Sequence, residues 1–253
     1  MKTKINFFLT TYDLCSERSI ENVPKDFLDL FICYQVKKQK KKKIPLQLLK
    51  NTIKEWELPW NDYFYQENIF CEYSILPHLY KNKYLIDNVE YIGLFHGDVL
   101  FTKNSINNID DIISKSCKDL LIVPENTFCK KGESLYLNET QIEILCKYMS
   151  EKMDTDIKTK NIYNYGWPSC ALSITSKNKF LKFGKFLYEN GEDIFNKLFD
   201  NSLGVNSNYH RICGIIERMW GFYLICTSNE VYLTKGIRHE SYSYEQEHWK
   251  LKH

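Results

Sequence analysis

The chain has 253 residues, 43% hydrophobic and 15% aromatic, so it is long and apolar enough to bury a full core and does not read as disordered. A formal net charge of +2 gives no strong global field, so nucleic acid is not expected as a partner. Nine cysteines, at 15, 33, 71, 117, 129, 146, 170, 213 and 226, are scattered without a Cys-x-x-Cys pair, which argues against a disulfide framework and against a zinc site made of cysteines alone, and for reduced thiols in a cytoplasmic compartment.

In chain order, residues 4–13 (KINFFLTTYD) read as a first strand ending in polar Thr10, Thr11 and Asp13. Its apolar run is too short for a secretion signal or a membrane span, and no apolar stretch of spanning length occurs elsewhere. Residues 26–36 are apolar and fit a helix or a strand. Residues 37–45 (KKQKKKKIP) carry six lysines in their first seven positions. Such a run is a solvated loop or, through residues 37–43, a weak patch for peripheral association with an anionic membrane surface.

Residues 45–56 have helical spacing, with Pro45 at a first turn. Residues 68–86 look helical, with Pro77 as a kink or break, and feed a strand at 90–95. After Asp98 a short strand and a helix follow, then a strand over 118–126 ended by Pro124. Asn138 can cap a helix over 138–152, in which Ile142, Leu145, Cys146 and Met149 share a face. A strand at 170–175 passes into an amphipathic helix at 177–189, residues 209–225 form another long helix, and EVYLTKGIRHESY closes with a strand and an extended tail. This alternation predicts an α/β protein with a mainly parallel, mixed central sheet flanked by helices. The absence of repeats and of Gly- or Pro-rich linkers predicts one domain over residues 1–253.

Three stretches could carry chemistry. His96-Gly97-Asp98 interrupts an apolar run (EYIGLFHGDVLF) just past a strand, where α/β sheets collect ligands. Asp98 offers hard oxygens, His96 a nitrogen, and Gly97 room for close approach, a set suited to Mn²⁺ or Mg²⁺. The alternative is a strand-end turn in which Asp98 accepts backbone hydrogen bonds. In the 209–225 helix, Arg211, Glu217 and Arg218 fall among apolar residues, as an internal ion-pair network or as an anion site with a base. NYGWPSCALSIT offers Trp167 beside a glycine and a tyrosine, as a stacking platform for a sugar or base or as a packed loop. The chain has no phosphate-binding glycine loop and no GxSxG elbow, which weighs against P-loop enzymes, Rossmann dehydrogenases and α/β-hydrolases.

Taken together these segments resemble GT-A-type nucleotide-sugar glycosyltransferases, in which an Asp-x-Asp at a strand end binds a divalent metal and the donor diphosphate. The similarity is closer to a poorly characterised GT-A-like family from capsule and surface-polysaccharide clusters and large DNA viruses. Its ordered blocks match Cys71-Glu72, Tyr80-Lys81-Asn82, the Tyr91–His96 strand, the NYGWPSCALSIT block and HRICGIIERMWGFYL. The family commonly has His-Tyr-Arg-Arg where this chain has His96-Gly97-Asp98-Val99.

The resemblance implies a GT-A-like domain with a nucleotide-binding half over roughly residues 1–125 and an acceptor-binding half over roughly 126–253. It implies a UDP- or GDP-type sugar donor and a glycan acceptor, in the cytoplasm, or the host cytoplasm for a viral source. Thr10, Thr11 and Tyr12 would hold the nucleotide, and Arg211 or Arg218 would add a phosphate contact. Asp98, His96 and His239 would hold Mn²⁺ or Mg²⁺, and Glu217 would be the general base. Two other readings stay open: a non-catalytic nucleotide- or glycan-binding protein, and another α/β metal-dependent hydrolase.

Overall fold

The structure, a computed structural model, describes residues 4–11, 15–36, 44–67, 70–102, 104–116, 119–129, 137–169, 172–205 and 212–239. In chain order the elements are β1 (Ile5–Thr11), α1 (Arg18–Glu21), β2 (Phe31–Gln35), β3 (Thr52–Lys54), α2 (Tyr63–Glu67), α3 (Ile75–Lys81), β4 (Tyr91–His96), β5 (Val99–Phe101), α4 (Ser105–Lys115) and β6 (Leu120–Pro124). These are followed by β7 (Phe128–Cys129), α5 (Glu139–Met153), α6 (Thr159–Tyr165), β8 (Trp167–Pro168), β9 (Ser173–Ser176), α7 (Lys177–Phe199), α8 (Ile212–Thr227), β10 (Glu230–Thr234) and β11 (Ile237–His239). Among the described residues no helix is long and apolar enough to cross a membrane.

The central sheet has seven described strands in the order β10-β6-β9-β4-β1-β2-β3. All neighbours pair in parallel except at β9, which runs antiparallel to both β4 and β6. This is the mainly parallel, mixed α/β sheet expected from the sequence, and it draws strands from both halves of the chain. β5 lies outside it, paired antiparallel with β11.

β1 shows why the strands read as continuous apolar runs. Successive side chains of a strand point to opposite faces, and here both faces are covered. Phe7 and Leu9 join one core with Phe31, Cys33, Phe95 and Ile174, under α1 and α4. Phe8 joins the other, with Tyr34, Ile92 and Leu94, under the longer helices α5, α7 and α8. Each such ring, fully buried, contributes about 1.5–3 kcal/mol. Gly93 on β4 makes the first core fit: a Cβ there would lie 2.7 Å from the rings of both Phe7 and Phe95.

Local signals explain most boundaries. Asn138 and Gln141 form a reciprocal cap on α5, with Gln141 N–H donating to Asn138 Oδ1 at 2.9 Å and Asn138 N–H to Gln141 Oε1 at 3.0 Å. Pro77 does not break its helix. It is the third residue of α3, in the first turn, where an N–H has no intrahelical partner to lose. The expected helix over 45–56 is instead a 3-10 stretch, Leu46–Asn51, that gives way to β3, because Tyr34 and its neighbours on β2 offer a strand partner for Thr52–Lys54. α7 continues ten residues past its expected end at 189, through Phe199.

Candidate functional site

The chain leaves β1 toward β2 and β3 on one side and comes back to β4 on the other. Strand order therefore reverses between β1 and β4, the place where open α/β sheets bind ligands, outside the carboxyl ends of the strands. Those ends are Thr10-Thr11 and His96, with Thr10 and His96 opposite each other in register.

The turn after β4 is held from beneath. Gly97 N–H donates to Thr10 O at 2.8 Å, while Gly97 O accepts from Ser16 N–H at 2.7 Å and from the Ser19 hydroxyl at 2.8 Å. On its far side Phe101 of β5 packs its ring 5.2 Å from Phe95. His96 and Asp98 thus project from a fixed turn flanked by core aromatics. Asp98 also neighbours a buried thiol: hydrogen bonding with Cys33, burial, and the charges of Cys33 and Asp98 together push the Cys15 thiol far up.

Two helical segments bring further groups to this turn. A 3-10 turn over Cys71–Ser74 leads into α3, and its Glu72 carboxylate lies 3.0 Å from His96 Nε2, the two side chains 16% and 24% exposed. α3 is clamped by α7, where a Cβ on Gly184 would sit 2.5 Å from Leu76 O. On α8, Cys213 and Glu217 are four residues apart and share a face. Cys213 packs against Cys71, and the hydrogen bond with that thiol, burial and the Glu72 and Glu217 carboxylates hold it well above the ordinary thiol range. Sγ of Cys71, Sγ of Cys213 and a Glu72 carboxylate oxygen lie within 4.8 Å of one another.

The electrostatics follow from this crowd. Burial is the largest single influence and works against a charged His96 imidazole, but the Glu72 carboxylate by charge and hydrogen bond, then Asp98 and then Glu217, together outweigh it. The His96 pKa is therefore raised above its ordinary value. Three carboxylates around one imidazole make a locally negative site at the carboxyl edge of a nearly neutral protein.

The structure brings together His96, Asp98 and Glu217 of the sequence-derived candidates. The His239 backbone joins them at one remove, opposite Val99 in the β5–β11 pair; its side chain lies outside the described residues, as do Tyr12, Arg211 and the lysine run at 37–43. Thr10 and Thr11 sit at the right strand end but are buried, and the Thr10 hydroxyl donates to Phe95 O at 2.9 Å. Trp167 is also buried, with Phe222 edge-on at 5.4 Å and the Arg218 guanidinium over its ring at 5.7 Å. Arg218 is buried too and donates to Gly214 O, so this pair is packed inside the protein.

Sequence reasoning assigned no role to Glu72, Cys71 or Cys213. A signal for Glu72 was present: it is the one carboxylate in the apolar run NIFCEYSILPHLY. Nothing local pairs Cys71 with Cys213, since only the packing of α8 on the Cys71 turn joins them. The seven described cysteines are all free thiols.

No protein-family model matches this sequence, and no curated protein matches it. Among solved structures the chain is similar to the apo structure of the WbbM bifunctional glycosyltransferase, with a TM-score of 0.47 and 12% identity over 92% of this chain. The chain spans 46% of the length of that one.

Proposed function

We propose that the protein is a glycosyltransferase that moves a sugar from a UDP- or GDP-type donor to a glycan acceptor in surface or virion polysaccharide synthesis. The observation that supports this most directly is the gathering of Glu72, His96, Asp98 and Glu217 at the carboxyl edge where β1 and β4 meet. The sequence resemblance supplies the reaction class, and the geometry supplies groups that can carry it.

Asp98, with His96 and His239, would hold Mn²⁺ or Mg²⁺. The donor chemistry fits such an ion: Asp98 provides hard oxygens, the surrounding carboxylates leave negative charge to be neutralised, and β11 runs beside the residue that follows Asp98. A divalent ion there would offset charge on the departing diphosphate. Glu72 holds His96 by its Nε2, which orients the imidazole at the mouth of the site. Glu217, an α8 carboxylate whose charge acts on His96, would accept the acceptor hydroxyl's proton. Arg218, braced on Gly214 O and the Trp167 ring, would fix the pose of α8 that presents Glu217. Thr10, Thr11 and Tyr12 would border the nucleotide pocket at the end of β1.

A thermal-shift screen of nucleoside diphosphates and sugar nucleotides, with and without Mn²⁺, tests the proposal. A ligand at about a hundred times its Kd should stabilise the protein by about 2.7 kcal/mol, and more with Mn²⁺ present than absent. Asp98→Ala should abolish the Mn²⁺-dependent part of the shift and the transfer of sugar. Full retention of both would remove Asp98 from the metal role, and binding without turnover by the wild type would make the protein a binding module.

A further inference from the structure

Glu72 enters the transfer proposal only by holding His96, and the two thiols not at all, yet the Cys71–Glu72–Cys213 group places three metal-ligating atoms within 4.8 Å of one another. We propose that these three side chains form a site for a thiophilic divalent ion, Zn²⁺ in type, adjoining the Asp98 turn. The inference goes beyond the transferase reading and does not depend on it.

The first argument is geometric. Zn–S near 2.3 Å and Zn–O near 2.1 Å in a tetrahedron separate the donor atoms by about 3.6–3.8 Å. Atoms already within 4.8 Å reach that spacing with displacements of about an ångström or less, within the rotamer freedom of partly exposed side chains. The second argument is chemical. Two sulfurs select a softer ion than the oxygen donors of Asp98 do, so the two sites would sort Zn²⁺ from Mn²⁺ or Mg²⁺ by ligand type.

The third argument is the support around the ligands. Cys71 has φ +55, a left-handed backbone that a non-glycine residue seldom adopts, and this turn is what delivers Cys71 and Glu72 together to the start of α8. Glu72 in turn is held by His96 Nε2 at 3.0 Å, the outer-shell carboxylate–histidine contact that orients metal ligands. Three protein ligands leave a fourth position for water or an oxygen of a bound molecule, the arrangement of zinc sites that do more than brace a fold. The ion would also tie the Cys71–Ser74 turn to α8, the two segments that carry Glu72 and Glu217 to the site.

The test uses the full chain, reduced and freed of metal, titrated with Zn²⁺ and with Co²⁺ as a spectroscopic probe. The expected result is about one equivalent bound, with a thiolate-to-cobalt charge-transfer band. That band should be lost in Cys71→Ser and in Cys213→Ser and kept in Cys226→Ser, whose thiol instead donates to Lys158 O. His96→Gln should weaken Zn²⁺ binding about 10–100-fold.

A second readout needs no variant: Zn²⁺ should protect Cys71 and Cys213 of the wild type from alkylation, mapped by peptide mass spectrometry. Binding unchanged in both serine variants would overturn the site, as would a reduced wild type that binds no Zn²⁺ and merely forms a Cys71–Cys213 disulfide on oxidation. Mn²⁺-dependent nucleotide binding, measured on the same samples, separates the two readings. Its survival in the serine variants with no zinc site found sinks this inference alone, and its absence in a zinc-binding wild type sinks the other alone.

Discussion

Two glutamate–histidine pairs with nearly the same geometry lie close together in the chain and have different fates. His78 Nδ1 is 3.1 Å from Glu55 Oε1 with both side chains fully buried, and His96 Nε2 is 3.0 Å from Glu72 Oε1 with both partly exposed. In the sealed pair every side-chain polar atom but one has a hydrogen-bond partner; the exception among the described residues is Glu55 Oε2, which is buried without one. His78 Nδ1 donates to Ser74 O at 2.7 Å, and its Nε2 accepts from Asp62 N–H at 3.0 Å, which assigns the proton to Nδ1. Glu55 Oε1 accepts from the Ser74 hydroxyl at 2.6 Å and the Tyr34 hydroxyl at 3.2 Å, and burial with Glu55 beside it pushes the Tyr34 pKa up. That pair is a lock between β2, the segment before α2 and α3. The open pair sits at the carboxyl edge of the sheet, where strand order reverses, among two more carboxylates. Contact chemistry alone does not mark a functional pair; exposure and position on the sheet do.

The sharpest way to break this contrast is Glu55→Ala. Removing Glu55 leaves the buried hydroxyls of Tyr34 and Ser74 without their acceptor, at about 1–3 kcal/mol each. Urea denaturation should show a loss of that size, while the folded fraction keeps its Mn²⁺-dependent nucleotide binding. A cost below about 1 kcal/mol would mean that the sealed pair is no lock.

Next in size is Glu217→Gln, on the open side. A general base contributes about a hundredfold or more to turnover, equivalent to about 2.7 kcal/mol in the barrier. Single-turnover transfer should fall by that factor with the urea midpoint nearly unmoved, since Glu217 is partly exposed. A drop under about tenfold would take the base role from Glu217.

The contrast also explains what the sequence could show. Strand periodicity and apolar runs made β1, β4 and β6 legible because both faces of each are buried and each strand advertises itself. The Asn138 cap was legible because its partner is three residues away. Asp98 and Glu217 stood out as charges within apolar stretches. Which groups meet at the site was not legible, because Glu72 meets His96, and Cys71 meets Cys213, only through the packing of the Cys71–Ser74 turn and α8 at one sheet edge. His78 and Glu55 were equally hidden, since the strand partner that turns residues 52–54 into β3 also fixes Glu55 just beyond it.

Glu72→Gln separates the two pairs by the ratio of function to stability. A partly exposed ion pair is worth at most about 1 kcal/mol, so the urea midpoint should move little. Loss of the group that orients His96 should still lower Mn²⁺-dependent donor binding about 10–100-fold. A loss of about 3 kcal/mol or more, as at Glu55, would make the open pair as structural as the sealed one.

The smallest expected effect is the most diagnostic of the open pair's charge. Glu72, with Asp98 and Glu217, raises the folded-state pKa of His96 above its ordinary value, against burial. A raised histidine contributes its stability fully below the unfolded value of about 6.5, and that contribution is lost as pH rises through the folded value. The stability difference between wild type and Glu72→Gln should therefore be greatest near pH 6 and shrink as pH rises through the folded value, staying within about 1 kcal/mol throughout. The His96 ring-proton shift in NMR should titrate at a higher pH in the wild type than in Glu72→Gln, because the variant keeps the burial and loses the largest attraction. If the two titrations coincide, the 3.0 Å contact carries no charge-pairing energy, and position on the sheet alone distinguishes the open pair from the sealed one.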